Sequence, residues 1–230
     1  MPQARDVIRA LFPPWTPAVH KVLLAVGLAC AAAVLGLSLW LKAQPYLALD
    51  ATVERTLQST SWGPLASTFP FFSWLGGPGG GPYMEITAAV LVLLLNRRAW
   101  LYGGAILAGG LWYPLLVNWV ERARPNADQV IRVTEHPGST SFPSGHVMYI
   151  TLSFGVVMLC AGHRYLPPWA RVVGWLVVAA VVLTAALSRL YVGVHWPTDV
   201  LGGILLAAGW ICLVTSVRWL SDRALDKDSP

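Results

Sequence analysis

Three short polar segments in this chain carry side chains able to hold an anion or move a proton. The longest runs from Ser188 to Asp199 and sets Arg189, His195 and Asp199 between two long apolar runs. Charged groups beside a bilayer span are costly unless they are paired or hydrated, so such a cluster marks a functional site by default. Pro197 suits the first residue of a helix, which puts Asp199 in the first turn and His195 just ahead of it. From there the carboxylate can reach back to one ring nitrogen, fix the tautomer and leave the other nitrogen a better nucleophile. Arg189 offers a planar fork of donors suited to an oxyanion or a phosphate.

The second segment, Ser141-Phe142-Pro143-Ser144-Gly145-His146, opens another apolar run. Ser144 is placed to cap that helix, Gly145 lets a ligand approach the backbone, and the free amides with the helix dipole favour an anion. His146 adds a titratable group beside it. The third segment, Glu121-Arg122-Ala123-Arg124-Pro125, closes the preceding apolar run. Taken singly, each residue has an ordinary reading: a boundary histidine, a snorkelling arginine, a helix-end carboxylate. The phosphate-site reading rests on their convergence.

The elements that must position these segments follow from composition. The chain has 230 residues, 56% hydrophobic and only 12% charged, well short of the charge of a soluble domain. Apolar runs succeed one another with short breaks, which predicts one all-α membrane bundle of six spans occupying residues 21–220. A cytoplasmic or interfacial segment (1–20) precedes it and a cytoplasmic tail (221–230) follows. The predicted spans are 21–41, 83–96, 100–120, 147–162, 169–187 and 197–220, the first of them about the ~20 residues a bilayer needs. The second is short, and the fourth is expected to start earlier, near Pro143. Residues 3–15 read as a short amphipathic surface helix or as a disordered tail. Residues 42–82 read as an interfacial helix carrying Asp50, Glu54 and Arg55, then a loop whose aromatic run, Phe69 to Trp74, is too broken by Pro64, Pro70 and glycines to span. Gly104 with Ala108 and Gly203 with Ala207 have the small-residue spacing that permits close helix contact.

If both termini are cytoplasmic, ten of the 16 Lys and Arg fall on that side and six on the other, the bias expected of a membrane protein. All three polar segments then face away from the cytoplasm. Twelve tryptophans suit the water–lipid boundary. Basic residues are scattered singly, which excludes a nucleic-acid stripe. Cys30, Cys160 and Cys212 lie inside apolar runs without ligand spacing, and read as buried small hydrophobes.

Ser188, Arg189, His195 and Asp199 meet the pattern Ser-Arg-x5-His-x3-Asp in full, and Pro143 to His146 meet Pro-Ser-Gly-His. With this order the chain resembles the type 2 phosphatidic acid phosphatase superfamily, and most closely its six-span bacterial lipid phosphatases, over roughly residues 83–220. The resemblance implies phosphoryl transfer without a metal or other cofactor. His195 is then the nucleophile, Asp199 its orienting carboxylate and His146 the acid–base, while Arg124, Ser144, Gly145 and Arg189 hold the phosphoryl oxygens. The family's first motif, Lys-x6-Arg-Pro, is met only in Arg124-Pro125; Val117 stands at the lysine position. Either Arg122 or Arg132 supplies that charge, or two arginines and backbone amides suffice. Glu85, toward the outer end of the second span, lines the site or meets the interface. Glu135 and His136, in the loop before the second segment, read as a solvated loop or as headgroup contacts.

The implied partners are the bilayer and a membrane lipid phosphate: undecaprenyl pyrophosphate, phosphatidylglycerol phosphate or phosphatidate. The implied location is a bacterial inner membrane with the site on its outer face. A lipid phosphotransferase using the same histidine is the nearest alternative, followed by a non-catalytic lipid-binding or transport protein. Oligomeric state is not legible.

Overall fold

A computed structural model of the chain describes residues 19–225. The amphipathic segment expected at 3–15 lies outside the described residues, as does the end of the tail. The helices, in chain order, are α1 Lys21–Ala43, α2 Ala48–Ser59, α3 Phe69–Gly76, α4 Gly81–Leu95, α5 Trp100–Leu107, α6 Trp112–Val120, α7 Gly145–Val157, the single turn α8 His163–Tyr165, α9 Pro168–Tyr191, α10 Pro197–Ser216 and α11 Arg218–Leu225. A 3-10 turn, Ala108–Leu111, joins α5 to α6, and a wider π turn, Met158–Gly162, joins α7 to α8.

The chain is an all-α membrane bundle. Among the described residues, five stretches are long and apolar enough to cross a bilayer: Lys21–Ala43, Arg97–Val120, Gly145–Tyr165, Pro168–Tyr191 and Pro197–Ser216. A bent pair, Gly63–Gly76 with Gly81–Leu95, meeting at 75°, is apolar enough to make a sixth if its two halves form one span. This corrects the expectation that the aromatic run is a loop. Pro70 and Pro82 both sit in the first turn of a helix, where a proline sacrifices no hydrogen bond, so they start α3 and α4 instead of breaking them.

Two other boundaries differ from expectation. α9 continues to Tyr191, so Ser188 and Arg189 lie in its last turn. α10 stops at Ser216, because Val217 leaves the helix to bridge Val19 while the Ser216 carbonyl accepts the His20 amide. α11 is therefore separate from the last span, Pro197–Ser216.

α7 is the centre of the bundle: its span is 72% buried, against 17% for α1 at the rim. α10 packs against α1 and α7, and α4 and α9 also pack on α7. One close approach sets the geometry of the site. A Cβ on Gly203 would stand 2.6 Å from the Ser144 carbonyl, so only glycine lets α10 meet the start of α7. Gly104, from the other small-residue pair, faces open space and plays no such part. Cys160 is fully buried in the core, in keeping with its reading as a small hydrophobe. At the end of the bundle away from the three polar segments, the Asn96 side chain donates to the carbonyls of Cys160 (2.9 Å) and Ala224 (2.8 Å).

Candidate active site

The three segments meet at one end of the bundle. α10 begins at Pro197, and the Asp199 carboxylate turns back to accept the Trp196 amide at 2.8 Å through Oδ2. The same oxygen stands 3.6 Å from Nδ1 of His195. Gly193, with φ of +77°, turns the chain between α9 and this pair. The opposite ring nitrogen, Nε2, lies 3.3 Å from an NH group of Arg124. Arginine has no acceptor, so that contact requires a lone pair on Nε2 and places the ring proton on Nδ1, toward Asp199. Burial is the main cause holding His195 below the ordinary imidazole range; Asp199 opposes it and the Arg124 charge adds to it. The neutral ring is thereby favoured.

Arg124 reaches the site from the segment after α6. That helix ends at Glu121, a non-glycine residue with φ of 53°, and the next residues run extended, with Ala123 bridged to Thr140. Arg124 donates to the Val194 carbonyl (2.5 Å) and the Gly138 carbonyl (2.9 Å), which aim it across His195. Its own burial lowers its pKa from the usual guanidinium value.

Ser144 is the residue before α7, and its amide donates to the Asp199 carbonyl at 2.9 Å, tying the starts of α7 and α10 together. Its hydroxyl makes no capping bond, contrary to expectation, and is buried without a protein partner. His146 follows in the first turn of α7. Its Nε2 lies 3.2 Å from the Ser73 carbonyl and 3.1 Å from an NH group of Arg189. One neighbour accepts and the other donates, so Nε2 has a partner whether or not it carries a proton. The ring centroids of His146 and His195 are 6.4 Å apart.

A cavity of about 350 Å³ opens between the two histidines and is lined also by Gly77, Glu85, Tyr113, Arg124 and Gly145. Glu85 thus faces the site. Arg189 is fully buried and stands behind His146, paired to Glu135 at 3.1 Å and bonded to the Ser73 hydroxyl. Glu135, expected in a solvated loop, is therefore part of this layer. Sequence reading missed Ser73; its bent helix looked like a loop, so no signal tied it to Arg189.

Neither substitute for the absent lysine stands in its place. Arg122 is sealed behind Asp199, with its NH groups on Asp199 Oδ1 and Asp50 Oδ2 at 2.6 Å each. Arg132 stacks 4.0 Å above the Tyr191 ring. Val117 is buried, and Arg124 is the cation on the cavity wall. Asp50 and Glu54, expected on an interfacial helix, are likewise buried against the bundle. A signal for this was present: they share the helical face of Ala51 and Gln58, at the spacing of a packed stripe.

Residues 98–223 match the PAP2 superfamily. Phosphatidylglycerophosphatase B of Bacillus subtilis (strain 168) is 34% identical over 94 residues, which span 40% of this chain and 44% of that protein. Undecaprenyl-diphosphatase of Sulfolobus acidocaldarius is 35% identical over 79 residues, 34% of each chain. These alignments thus span less than half of either relative. In fold, the chain resembles the crystal structure of a transmembrane PAP2-type phosphatidylglycerolphosphate phosphatase from Bacillus subtilis. The TM-score is 0.68 at 22% identity, over 82% of this chain and 94% of that one.

Proposed function

The chain belongs to the PAP2 superfamily, and from that premise we propose that it is a membrane lipid phosphatase working through a phosphohistidine on His195. The observation that carries the reading is the orientation of that ring, with Nδ1 toward Asp199 and Nε2 toward Arg124 and the cavity. Nε2 attacks phosphorus and the bond to the leaving lipid oxygen breaks. His146 gives that oxygen a proton, then takes one from water as the water oxygen attacks the phosphohistidine, releasing phosphate and restoring both rings. Arg124 and the Gly145 amide meet the charge on the phosphoryl oxygens, with the Ser144 hydroxyl and Arg189 alongside. In this reading Glu85 contacts the headgroup, while Arg122 and Arg132 do not touch phosphate.

A lipid substrate is supported by a second, apolar cleft of about 640 Å³, lined by Met84, Leu91, Phe154 and Val157 among others. α4 lines this cleft as well as the reactive cavity, so one helix leads from apolar chain to phosphate. The substrate is an isoprenoid diphosphate such as undecaprenyl pyrophosphate, or phosphatidylglycerol phosphate, or phosphatidate. The distribution of basic residues favours a bacterial inner membrane with both termini cytoplasmic and hydrolysis on the outer face.

The test is phosphate release by purified protein across these lipid phosphates and diphosphates, with chelator present and with His195→Ala as control. Turnover that survives chelation and vanishes in His195→Ala is expected. Wild-type turnover in His195→Ala would sink the assignment, and label appearing on an acceptor lipid instead of as free phosphate would make the protein a phosphotransferase.

A further inference from the structure

We propose that Arg122 is a positioning residue for the Asp199–His195 pair, anchored by Asp50, so that α2 is part of the catalytic apparatus. This helix lies outside the stretch that matches the family, residues 98–223. The proposal rests on the phosphohistidine reading above.

Arg122 has no solvent exposure, and its guanidinium is fully engaged. One NH group meets Asp199 Oδ1 and the Thr198 hydroxyl at 2.6 Å each, the other meets Asp50 Oδ2 at 2.6 Å, and Nε donates to the Pro45 carbonyl at 2.8 Å. The Trp196 ring lies 5.5 Å from the guanidinium carbon. Asp50 is fixed in turn by Thr198, whose amide and hydroxyl donate to it at 3.1 and 2.6 Å. None of these groups lines the reactive cavity, so they act on the reaction only through Asp199.

The arrangement divides the labour of the Asp199 carboxylate. Arg122 occupies Oδ1, leaving Oδ2 for the Trp196 amide and His195. A planar fork can bridge two carboxylates at fixed angles, whereas a lysine ammonium cannot. Two carboxylates facing one guanidinium leave a single negative charge behind His195. That charge is met when the ring becomes cationic on attacking phosphorus. Glu54, one turn beyond Asp50, is fully buried with neither oxygen partnered, and remains protonated, so it adds no third charge.

The charged and titratable groups facing His195 are Asp199, Arg124, Arg189 and His146, with Arg122 and Asp50 one layer back. Removing the Arg122 cation therefore raises the pH at which His195 protonates, and removing the Asp50 anion lowers it. Those opposite shifts separate positioning through charge from a purely structural role.

The experiment measures kcat, KM and the pH profile for full-length Arg122→Gln, Asp50→Asn and the double variant. The substrate is dioleoyl phosphatidate or farnesyl diphosphate, whichever the wild type turns over faster. Arg122→Gln is expected to lower kcat by about a hundredfold, as small misplacements of reacting groups do, with KM changed by no more than about threefold. Its acid limb moves to higher pH, that of Asp50→Asn moves to lower pH, and the double variant is no slower than Arg122→Gln alone. Asp50→Asn keeps Arg122 paired one-to-one with Asp199, so it carries the test if Arg122→Gln does not fold. Folded variants with wild-type kcat, acid limbs that move the same way, or an Asp50→Asn that cannot fold overturn the proposal. His195→Ala separates the layers: a dead His195→Ala beside wild-type-like Arg122 and Asp50 variants removes only this inference, whereas an active one removes the phosphohistidine reading itself.

Discussion

His195 Nδ1 and Asp199 Oδ2 face one another at 3.6 Å across the start of α10, with both side chains buried. The carboxylate is held from its other side, so it cannot swing away from the ring without breaking the Trp196 amide bond and the Arg122 pair. The carboxylate facing Nδ1 and the Arg124 donor facing Nε2 together favour the tautomer that presents a lone pair to the cavity.

Asp199→Asn keeps the shape of this pair but removes the charge that favours the tautomer. We expect kcat to fall by about 10³–10⁴-fold, as when an orienting carboxylate is neutralised in other histidine-dependent sites. Phosphate release by protein with wild-type thermal stability is the measurement. A loss under tenfold would show that the carboxylate does not orient the nucleophile.

Attack needs the unprotonated ring, and burial pushes the His195 pKa below its ordinary 6.5. The acid limb of kcat/KM should therefore fall below pH 6.5, with activity held as pH drops through the range where a free imidazole would already be charged. A pH profile on one soluble-chain substrate checks this. A limb at or above the free-imidazole value would contradict it.

Glu54 gives a separate prediction about stability. Burial, then the negative charges of Asp199 and Asp50, raise its pKa from 4.5 to about 9, against a smaller opposing effect of Arg122. Between those two values the unfolded chain releases a proton that the folded chain keeps, so stability from this group is whole below pH 4.5 and drains away as pH rises toward 9. Glu54→Gln, isosteric with the protonated acid, should melt close to wild type near pH 5 and increasingly above it by pH 8–9. Parallel melting curves across that range would count against a buried neutral acid.

Glu135 competes for Arg189, which it pairs at 3.1 Å while remaining partly exposed. Glu135→Gln frees the guanidinium for phosphoryl oxygens, and we expect inorganic phosphate to inhibit more tightly by about 2–5-fold, the size of one partly exposed ion pair. Inhibition constants for the two proteins decide it. Weaker inhibition in the variant would mean that Glu135 holds Arg189 in a productive position instead.

What the sequence determined by itself is local. A proline opening α10 places Asp199 in the first turn and His195 just before it, because helix geometry fixes residues so near in the chain. Apolar length likewise marked the unbroken spans, and the serine–glycine–histidine run marked the start of α7. Tertiary structure alone decided the rest. Arg122 meets Asp50 and Asp199 across 72 and 77 positions of chain, and Arg189 meets Ser73 across 116. Such pairings depend on which helices pack together, and no local spacing encodes them. The same cause hid α3, which reads as a broken loop in the sequence until it is seen packed against α7 beside α4. The stripe of Asp50, Ala51, Glu54 and Gln58 carried a local hint of burial, but only the packing brings Arg122 from elsewhere to meet the Asp50 carboxylate.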